Sequence, residues 1–483
     1  LLMNDILDKS SLGTHSFNSF PYTQLQISSV TCGLYERCLE LTMNWAAEEF
    51  KDINLGDRRL NKRTLLLAER LAAHPLASIP QACGGWSETQ AAYRFLAQDD
   101  LEWEDILTPH WRSAKARMRA HRVVLCIQDT TELDFHGQRI TGLGPLSYEA
   151  QRGMYVHSTY AVSPEREPLG VLDAWMWARE FKDADGQRGG VLESTRWTEG
   201  YARIAELAAT LPDTRLIYVA DREADIVALM AQARDLGHPA DGLIRSQHNR
   251  ALPEGGKLWA EVLAGEALGG IRFTMPSRHG QKAREVRQWV WAKRMSIAYD
   301  QGGRVEVTGV VAREKNAPVG VKPVEWRLLT NRPIEAFEAA TELIDGYRAR
   351  WEIELFFHVL KKGCRVEALQ LSTVERLERA LALFMVVAWR IARLMRLGRT
   401  CPDLDAALLF ERDEWQAAYI LNRKQVPATP PRLNEVVRLV ARLGGFLARK
   451  GDGEPGVKTL WLGLQRVVDF AAGIKFAREA HAL

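Results

Sequence analysis

The chain has 483 residues, of which 46% are hydrophobic and 26% are charged, and its net charge is +3. This length and composition are typical of a globular protein of about three domains, and they exclude a largely disordered or fibrous chain. The longest uncharged apolar stretch, residues 380–389, is far shorter than the roughly 20 residues of a membrane-spanning helix, so we expect no membrane partner.

The cysteines and the basic residues give two further indications. The six cysteines are scattered without a Cys-x-x-Cys pair, which predicts reduced thiols in a cytoplasmic protein. Basic residues crowd one early segment and recur at every third position of a later one. Such clusters can neutralise phosphates, but they are more often solvated surfaces, and both interpretations stay open. The residues are Arg58, Arg59, Lys62 and Arg63, and then Arg390, Arg393, Arg396 and Arg399.

The first half of the chain has a polar segment, then a region with helical periodicity, and then a region in which strands and a helix alternate. Residues 1–42 are rich in Ser, Thr and Asn and are predicted to be a disordered extension, with Met43 as the expected true start. Residues 43–112 have helical periodicity and predict a small helical domain. Buried strands are then predicted at 123–127 and 215–220, because both are short apolar runs. Between them we expect a hairpin of 155–162 with 169–178, followed by a helix over 193–211.

The second half begins with a β-rich region at about 240–332. There Val286, Gln288 and Val290 alternate with Arg287, Trp289 and Trp291, as in a strand with one buried face. Helix is predicted to return from residue 333 to about 399. The tail, residues 400–483, ends in a predicted amphipathic helix.

Two carboxylates follow the two predicted buried strands. Asp129 comes after 123–127, and Asp221 comes directly after 215–220. Ligand sites of α/β sheets collect at strand ends, which favours a functional role for both. The alternative is helix capping, because Asp129-Thr-Thr-Glu132 resembles a capping box and Asp221 could simply begin a helix.

A polar stripe on a later helix adds a third carboxylate. Tyr347, Arg350, Glu354 and Lys361 are spaced by 3, 4 and 7 residues, which places them within an arc of about 60° on one helix face. The alternative is an exposed helix carrying an Arg350–Glu354 pair. The apolar residues around the rest of the helix predict burial instead, and a buried polar stripe needs a partner.

Three carboxylates together with cationic side chains suit phosphoryl transfer. Mg²⁺ prefers hard oxygen ligands, and two ions about 3.5–4 Å apart can serve the attacking and the leaving oxygen. We therefore expect Asp129, Asp221 and Glu354 to be the catalytic residues and to bind two Mg²⁺, with Mn²⁺ as an alternative. Arg350 and Lys361 would then hold nonbridging phosphate oxygens.

At these residues the sequence resembles the insertion-sequence-four family of bacterial transposases. The family motif Y-x2-R-x3-E-x6-K is matched in full by Tyr347, Arg350, Glu354 and Lys361. The phrases around Asp129 and Asp221 are similar to those around the family's other two catalytic carboxylates. The resemblance implies an α/β fold with a ribonuclease H-like catalytic core over 113–399, interrupted by the β-rich insertion. It also implies a helical DNA-binding domain at 43–112 and a helical dimerisation region at 400–483.

The resemblance further implies what the chain does and which other residues take part. It implies cut-and-paste transposition on double-stranded DNA, in which a homodimer on paired inverted-repeat ends nicks, forms and resolves a hairpin, and transfers the ends to target DNA. Tyr347 would belong to the DNA contacts, Arg94 would contact the transposon end, Arg245 a phosphate, and Trp326 a flipped base. The expected location is the bacterial cytoplasm, at the nucleoid when bound to DNA. Two alternatives stay open: a metal-dependent nuclease without strand transfer, and a DNA-binding competitor that does not cut.

Overall fold

The structure is a computed structural model that describes residues 45–275, 284–299, 302–449 and 452–481. The predicted extension 1–42 and the predicted start at Met43 lie outside the described residues. Within the described ranges, no helix is both long and apolar enough to cross a membrane.

The region predicted to be helical forms a group of helices at the N-terminal side. Asp57 begins the second of them by accepting a hydrogen bond from the Arg59 amide at 2.7 Å, and Ser78 and Gln81 form a capping box on the third. Because these caps satisfy amides that a helix start leaves free, they fix where each helix begins. The helices are α1 (Trp45–Glu49), α2 (Arg58–Ala73), α3 (Ile79–Ala82), α4 (Trp86–Leu96) and α5 (Trp103–Met118).

A large mixed sheet follows, and the predicted strands and hairpin are all present in it. Strands β1 and β5 are parallel neighbours, β6 is parallel to β5, and β3 is antiparallel to both β1 and β4. The expected helix between them is α6 (Thr195–Ala209). The first six strands are β1 (Val123–Asp134), β2 (Gly144–Pro145), β3 (Arg152–Val162), β4 (Pro168–Trp177), β5 (Arg215–Ala220) and β6 (Asp241–Arg245).

The β-rich region continues this same sheet. Its last strand, β10 (Glu325–Thr330), pairs antiparallel with β6, and the strand order is β2-β3-β1-β5-β6-β10-β9-β8-β7. The predicted alternation holds, because Val286, Gln288 and Val290 are buried whereas Arg287 and Trp289 are exposed. The remaining strands are β7 (Gly269–Met275), β8 (Arg284–Tyr299) and β9 (Gly303–Glu314), with helices α7 (Val227–Asp235) and α8 (Leu258–Ala264) beside the sheet.

Helices cover both faces of the sheet, and successive residues of β1 show the two sides. Leu125 and Ile127 belong to the core that contains the helices after residue 333, whereas Val124 and Cys126 face the core that contains α6 and α7. The helices after residue 333 are α9 (Phe337–Arg348), α10 (Trp351–His358), α11 (Val374–Thr400), α12 (Arg412–Leu421), α13 (Leu433–Leu443) and α14 (Val457–His481).

The basic stripe on α11 does not form a phosphate-binding surface. Arg393 is paired with Glu167 at 2.9 Å, Arg396 is paired with Glu352, and Arg399 donates to the main-chain oxygen of Pro455 at 2.7 Å. Arg390 packs its guanidinium over the Trp45 ring. The interpretation of this stripe as a solvated or phosphate-binding face is therefore wrong, since a 27-residue helix in the middle of the fold buries its charges against internal partners.

Candidate active site

Asp129 lies inside strand β1 rather than after it. The strand runs on to Asp134, and Asp129 is opposite Ser158 of β3. Because side chains alternate along a strand, Asp129 points to the same side as Leu125 and Ile127, where helix α10 packs. The capping-box alternative for residues 129–132 is wrong, since these residues are strand and begin no helix.

Asp221 follows strand β5 directly, as predicted. It begins a 3-10 turn over residues 222–224, and its side chain accepts a hydrogen bond from the Glu223 amide at 2.8 Å. The capping interpretation is thus correct as far as it goes. The β1–β5 pairing, which matches Ile127 with Val219, nevertheless brings Asp221 to the end of the sheet where Asp129 lies. Capping and a place at the site are compatible.

The polar stripe is not on one continuous helix. Helix α9 ends at Arg348, α10 begins at Trp351, and a π-helical turn covers 359–363. At the break the Arg350 amide bonds to Tyr347 and the Ile353 amide bonds to Arg350, so each bond spans three residues rather than four. The prediction of one continuous α-helix is therefore wrong. The backbone forms three-residue hydrogen bonds near residue 350 and becomes π-helical near Lys361.

Arg350 joins the first and third carboxylates. Its Nη1 donates to Asp129 Oδ2 at 2.6 Å, and its Nη2 donates to Glu354. The guanidinium is only 10% exposed, against 19% for the Asp129 side chain and 26% for that of Glu354. The alternative of an exposed helix with a surface ion pair is therefore wrong, since Arg350 is buried, Glu354 is partly buried, and Arg350 also contacts Asp129 on strand β1.

The electrostatics show that all three carboxylates share one environment. Burial raises the pKa of Asp129 to about 7; Arg350 opposes this shift, and Asp221 and Glu354 add to it. Burial also raises the pKa of Glu354, with Arg350 opposing and Asp221 adding. Because Asp221 disfavours the charged forms of both Asp129 and Glu354, the site concentrates negative charge that a bound cation would neutralise.

The donor set fits a divalent metal by its chemistry, since it consists of carboxylate oxygens in a shared negative field. Within the described ranges, no three acidic, histidine or cysteine side chains are arranged closely enough to hold an ion. In this arrangement Arg350 supplies the positive charge between Asp129 and Glu354. The residues that would hold metal are Asp129, Asp221 and Glu354.

Lys361 is anchored to the strand that carries Asp129. Its ammonium donates to the main-chain oxygen of Glu132 at 2.6 Å and lies 3.2 Å from a carboxylate oxygen of Glu367. The neighbouring Lys362 also pairs with Glu367, at 3.2 Å. The partner Glu367 was not predicted, because nothing in its own sequence surroundings marks it as a contact of the motif lysine.

Arg245 and Tyr347 lie side by side next to the carboxylates. Burial raises the pKa of the Tyr347 phenol, with Asp221 adding to the shift and Arg350 and Arg245 opposing it. The hydroxyl is buried, and its polar neighbour is the Arg245 side chain, which cannot accept the phenol proton. A buried phenol beside two guanidinium groups is suited to an anionic partner from outside the chain.

The structure does not join the other two predicted DNA contacts to this site. Trp326 lies in β10 and stacks on Phe273 of β7, with ring centroids 5.9 Å apart and planes 10° apart. Arg94 is exposed on α4. No hydrogen bond or ion pair among the described residues links either side chain to Asp129, Asp221 or Glu354.

One buried ion pair near the site was not foreseen. Glu352, two residues before Glu354, pairs with Arg396 of α11, and their side chains are 6% and 14% exposed. The partners are 44 residues apart in the chain, so no local pattern could have paired them. The arginine periodicity on α11 was the available signal, and it indicates internal ion pairs.

Comparison with known proteins identifies the class. Three family models match the chain: "Transposase DNA-binding" at residues 42–101, "Transposase DDE domain" at 278–389 and "Transposase Tn5 dimerisation domain" at 386–482. The chain is therefore a DDE transposase, an enzyme that cleaves and transfers DNA and depends on divalent metal. More particularly, it carries DNA-binding, DDE and dimerisation domains of the Tn5 type.

The DDE match covers Glu354 and Lys361 but neither Asp129 nor Asp221.

Among solved structures the chain is similar to a piggyBac transposase in a synaptic complex with hairpin DNA. The two are 10% identical over 83% of this chain and 82% of that chain, with a TM-score of 0.37. A likeness of this size is too slight to support a mechanism.

Proposed function

We propose that the chain is a cut-and-paste transposase of the insertion-sequence-four family that acts as a homodimer on paired transposon ends. On this proposal it nicks DNA at each inverted repeat, forms and resolves a hairpin, and transfers the freed ends into target DNA. The observation that carries the proposal is the Arg350 guanidinium between Asp129 and Glu354, with Asp221 in the same electrostatic environment. We expect the enzyme in the bacterial cytoplasm, at the nucleoid when it is bound to DNA.

Each group of the site has a distinct task in this proposal. Asp129, Asp221 and Glu354 would hold two Mg²⁺ or Mn²⁺ ions. Divalent ions held there would supply Lewis-acid activation of the attacking oxygen and stabilise the leaving one. The burial of the carboxylates limits their solvation, so the field of the site acts on the phosphate more strongly than it would in water.

The cationic groups would hold the phosphate that reacts. Arg350, whose two Nη atoms contact Asp129 and Glu354 in this structure, would turn its planar guanidinium to phosphate oxygens once metal ions neutralise those carboxylates. Lys361 and Arg245 would bring positive charge from the π-helical turn and from the end of β6, and the buried Tyr347 hydroxyl would donate a hydrogen bond. Arg94 would contact the transposon end outside this site, and Trp326 would stack on the flipped base.

The test uses a linear duplex that carries the inverted repeats flanking the gene, incubated with the full chain and Mg²⁺. Strand-transfer products and hairpin ends are expected. A reaction that stops after hydrolysis would instead identify a nuclease. Binding without cutting would identify a competitor of transposition.

The carboxylates are tested one at a time in the same assay. Asp129→Asn, Asp221→Asn and Glu354→Gln each remove charge while nearly preserving shape, so each should abolish cleavage but keep end binding. A variant that cuts at the wild-type rate would remove that residue from the metal site.

A further inference from the structure

Asp225 is a fully buried carboxylate close to the site, and it gathers hydrogen bonds from one segment. Its side chain is 0% exposed. Its Oδ2 accepts from the Ser246 hydroxyl at 2.8 Å, from the Gln247 amide at 2.8 Å and from the His248 amide at 3.0 Å. Three donors from consecutive residues on one carboxylate oxygen fix the course of that segment.

Arg250 completes the arrangement from the other end of the segment. Its Nη1 lies 2.6 Å from Asp225 Oδ1, and its Nη2 donates to the main-chain oxygen of Asp225 at 2.7 Å. The Arg250 side chain is itself only 13% exposed. A carboxylate buried this deeply is tolerated because a cation and several donors surround it, and removal of one partner leaves the others uncompensated.

The segment that Asp225 holds begins directly after Arg245. Strands β5 and β6 run parallel, and their pairing ends at Ala220 and Ile244. Asp221 and Arg245 are therefore the first residues beyond the β5–β6 pairing on two adjacent strands. Arg245 is still the last residue of β6 and pairs with Leu328 of β10. Asp225 connects the loops that follow them, through the 3-10 turn on one side and residues 246–250 on the other.

The segment is also tied to the rest of the sheet. The Ser246 amide donates to the main-chain oxygen of Arg327 in β10 at 2.8 Å. The main-chain oxygen of His248 accepts from the buried Trp259 indole at 3.1 Å. These contacts hold the segment in place from outside, whereas Asp225 holds it against the Asp221 loop.

Resting on the proposed transposase function, we propose that Asp225 is a positioning residue for phosphate binding by Arg245. Its carboxylate, together with Ser246 and Arg250, holds the segment after β6 in one conformation. In that conformation Arg245 stays beside Tyr347 and faces the DNA backbone. Asp225 itself touches neither DNA nor the reacting phosphate.

The experiment compares Asp225→Asn with Arg245→Gln, singly and together, in the full chain. The measurement is the affinity for the end-repeat duplex over a series of salt concentrations. Loss of one phosphate contact lowers the slope of log K against log salt by about 1. We expect that decrease in Arg245→Gln and in Asp225→Asn, and no further decrease in the double variant.

A matched control separates positioning from general destabilisation. Asp173→Asn makes the same chemical change at another carboxylate, 10% exposed and paired with Arg203, on strand β4. It should leave the salt slope unchanged. If Asp225→Asn leaves the slope unchanged as well, or if its effect adds to that of Arg245→Gln, the proposal is overturned.

A milder variant covers the case in which Asp225→Asn does not fold. Ser246→Ala removes one donor to Asp225, should fold, and should lower the affinity for end DNA by less than Arg245→Gln without adding to it. Additive loss, or no loss, overturns the proposal. Wild-type protein that neither binds nor cuts the end duplex would contradict the proposed function itself, which is a separate outcome.

Discussion

Lys361 donates a hydrogen bond to the main-chain oxygen of Glu132, at 2.6 Å, and Glu132 lies three residues beyond Asp129 on strand β1. Lys361 lies in the π-helical turn of residues 359–363, and such turns are frequent at functional sites. A main-chain acceptor on β1 thus helps to hold the Lys361 ammonium at a defined place relative to Asp129.

We predict that Lys361→Gln lowers the rate of end cleavage by roughly a hundredfold, as expected for a lost electrostatic contact to the reacting phosphate. The measurement is a single-turnover time course with saturating Mg²⁺. Lys362→Gln is the matched control, because Lys362 shares the partner Glu367 but is 63% exposed. Equal losses in both variants would show that Lys361 has no special role.

The ion pair of Glu352 with Arg396 should contribute strongly to stability. Glu352→Gln leaves the buried Arg396 without its charge partner, which costs about 3–5 kcal/mol in comparable sites. Asp403→Asn is the control, since its pair with Arg432 is 74% exposed on both sides and is worth about 0–1 kcal/mol. Denaturant unfolding of both variants measures the difference. Similar free energies of unfolding would contradict the prediction.

A buried charge cluster near the N-terminal helices should make stability depend on pH. His110 accepts a hydrogen bond from the Val171 amide at 2.9 Å on Nε2, so its ring proton lies on Nδ1, facing Glu49. Burial lowers the pKa of His110 below its ordinary value of 6.5, with Arg117 adding to the shift and Glu49 opposing it. Although burial opposes the shift, Arg117 and His110 lower the pKa of Glu49 from 4.5 to about 2.

The sign of the effect follows from which state binds protons. As the pH falls through 6.5, His110 is protonated in the unfolded chain before it is protonated in the folded chain, so stability decreases. Glu49 adds a further loss between pH 4.5 and about 2. Free energies of unfolding at pH 8 and pH 5.5 should therefore differ less in His110→Gln than in the wild type. An equal difference in both proteins would refute the assignment.

The proposed stacking of a flipped base on Trp326, whose ring also stacks on Phe273, predicts a specific kinetic defect. Trp326→Ala should leave the first nick nearly intact and slow hairpin formation, because base stacking on an aromatic ring returns about 1–3 kcal/mol of the unstacking cost. A time course that separates nicked, hairpin and fully cut DNA makes the measurement, beside a thermal melt. Phe273→Leu is the control, since it removes the ring partner but leaves the indole. If both variants melt far below the wild type, and Trp326→Ala slows nicking and hairpin formation together, Trp326 is a packing residue only.

Local patterns predicted much of the fold. The apolar runs at 123–127 and 215–220 are strands, and the alternation around Val286–Val290 matches a strand with one buried face. These predictions succeed because each depends on neighbours within a few residues. The break near Arg350 could not be predicted, since helical periodicity alone does not distinguish one helix from two. In the fold, α10 packs against β1 and α11.

The sequence spacing predicted one contact of Arg350 but not the other. The spacing of Tyr347, Arg350, Glu354 and Lys361 indicated a shared polar stripe, and Arg350 does reach Glu354. Its second contact, to Asp129, spans 221 positions in the chain. That contact also depends on the side of the sheet to which the Asp129 side chain points. The contacts of Asp225 could not be predicted either. Its four partners lie more than 20 positions away in the chain, and the parallel pairing of β5 with β6 brings them close.

The pairing of β10 with β6 fixes the separation between the strand that carries Asp129 and the strand that carries Trp326. Asp129 lies on β1 and Trp326 on β10, and the intervening strands are β5 and β6. Three strand spacings of about 4.8 Å place the two strands roughly 14 Å apart. Backbone hydrogen bonds set this spacing, so side-chain changes in the loops would leave it unaltered. On the proposed function, such changes would alter which DNA is bound but not the separation that a strand end spans between the Trp326 ring and the carboxylates.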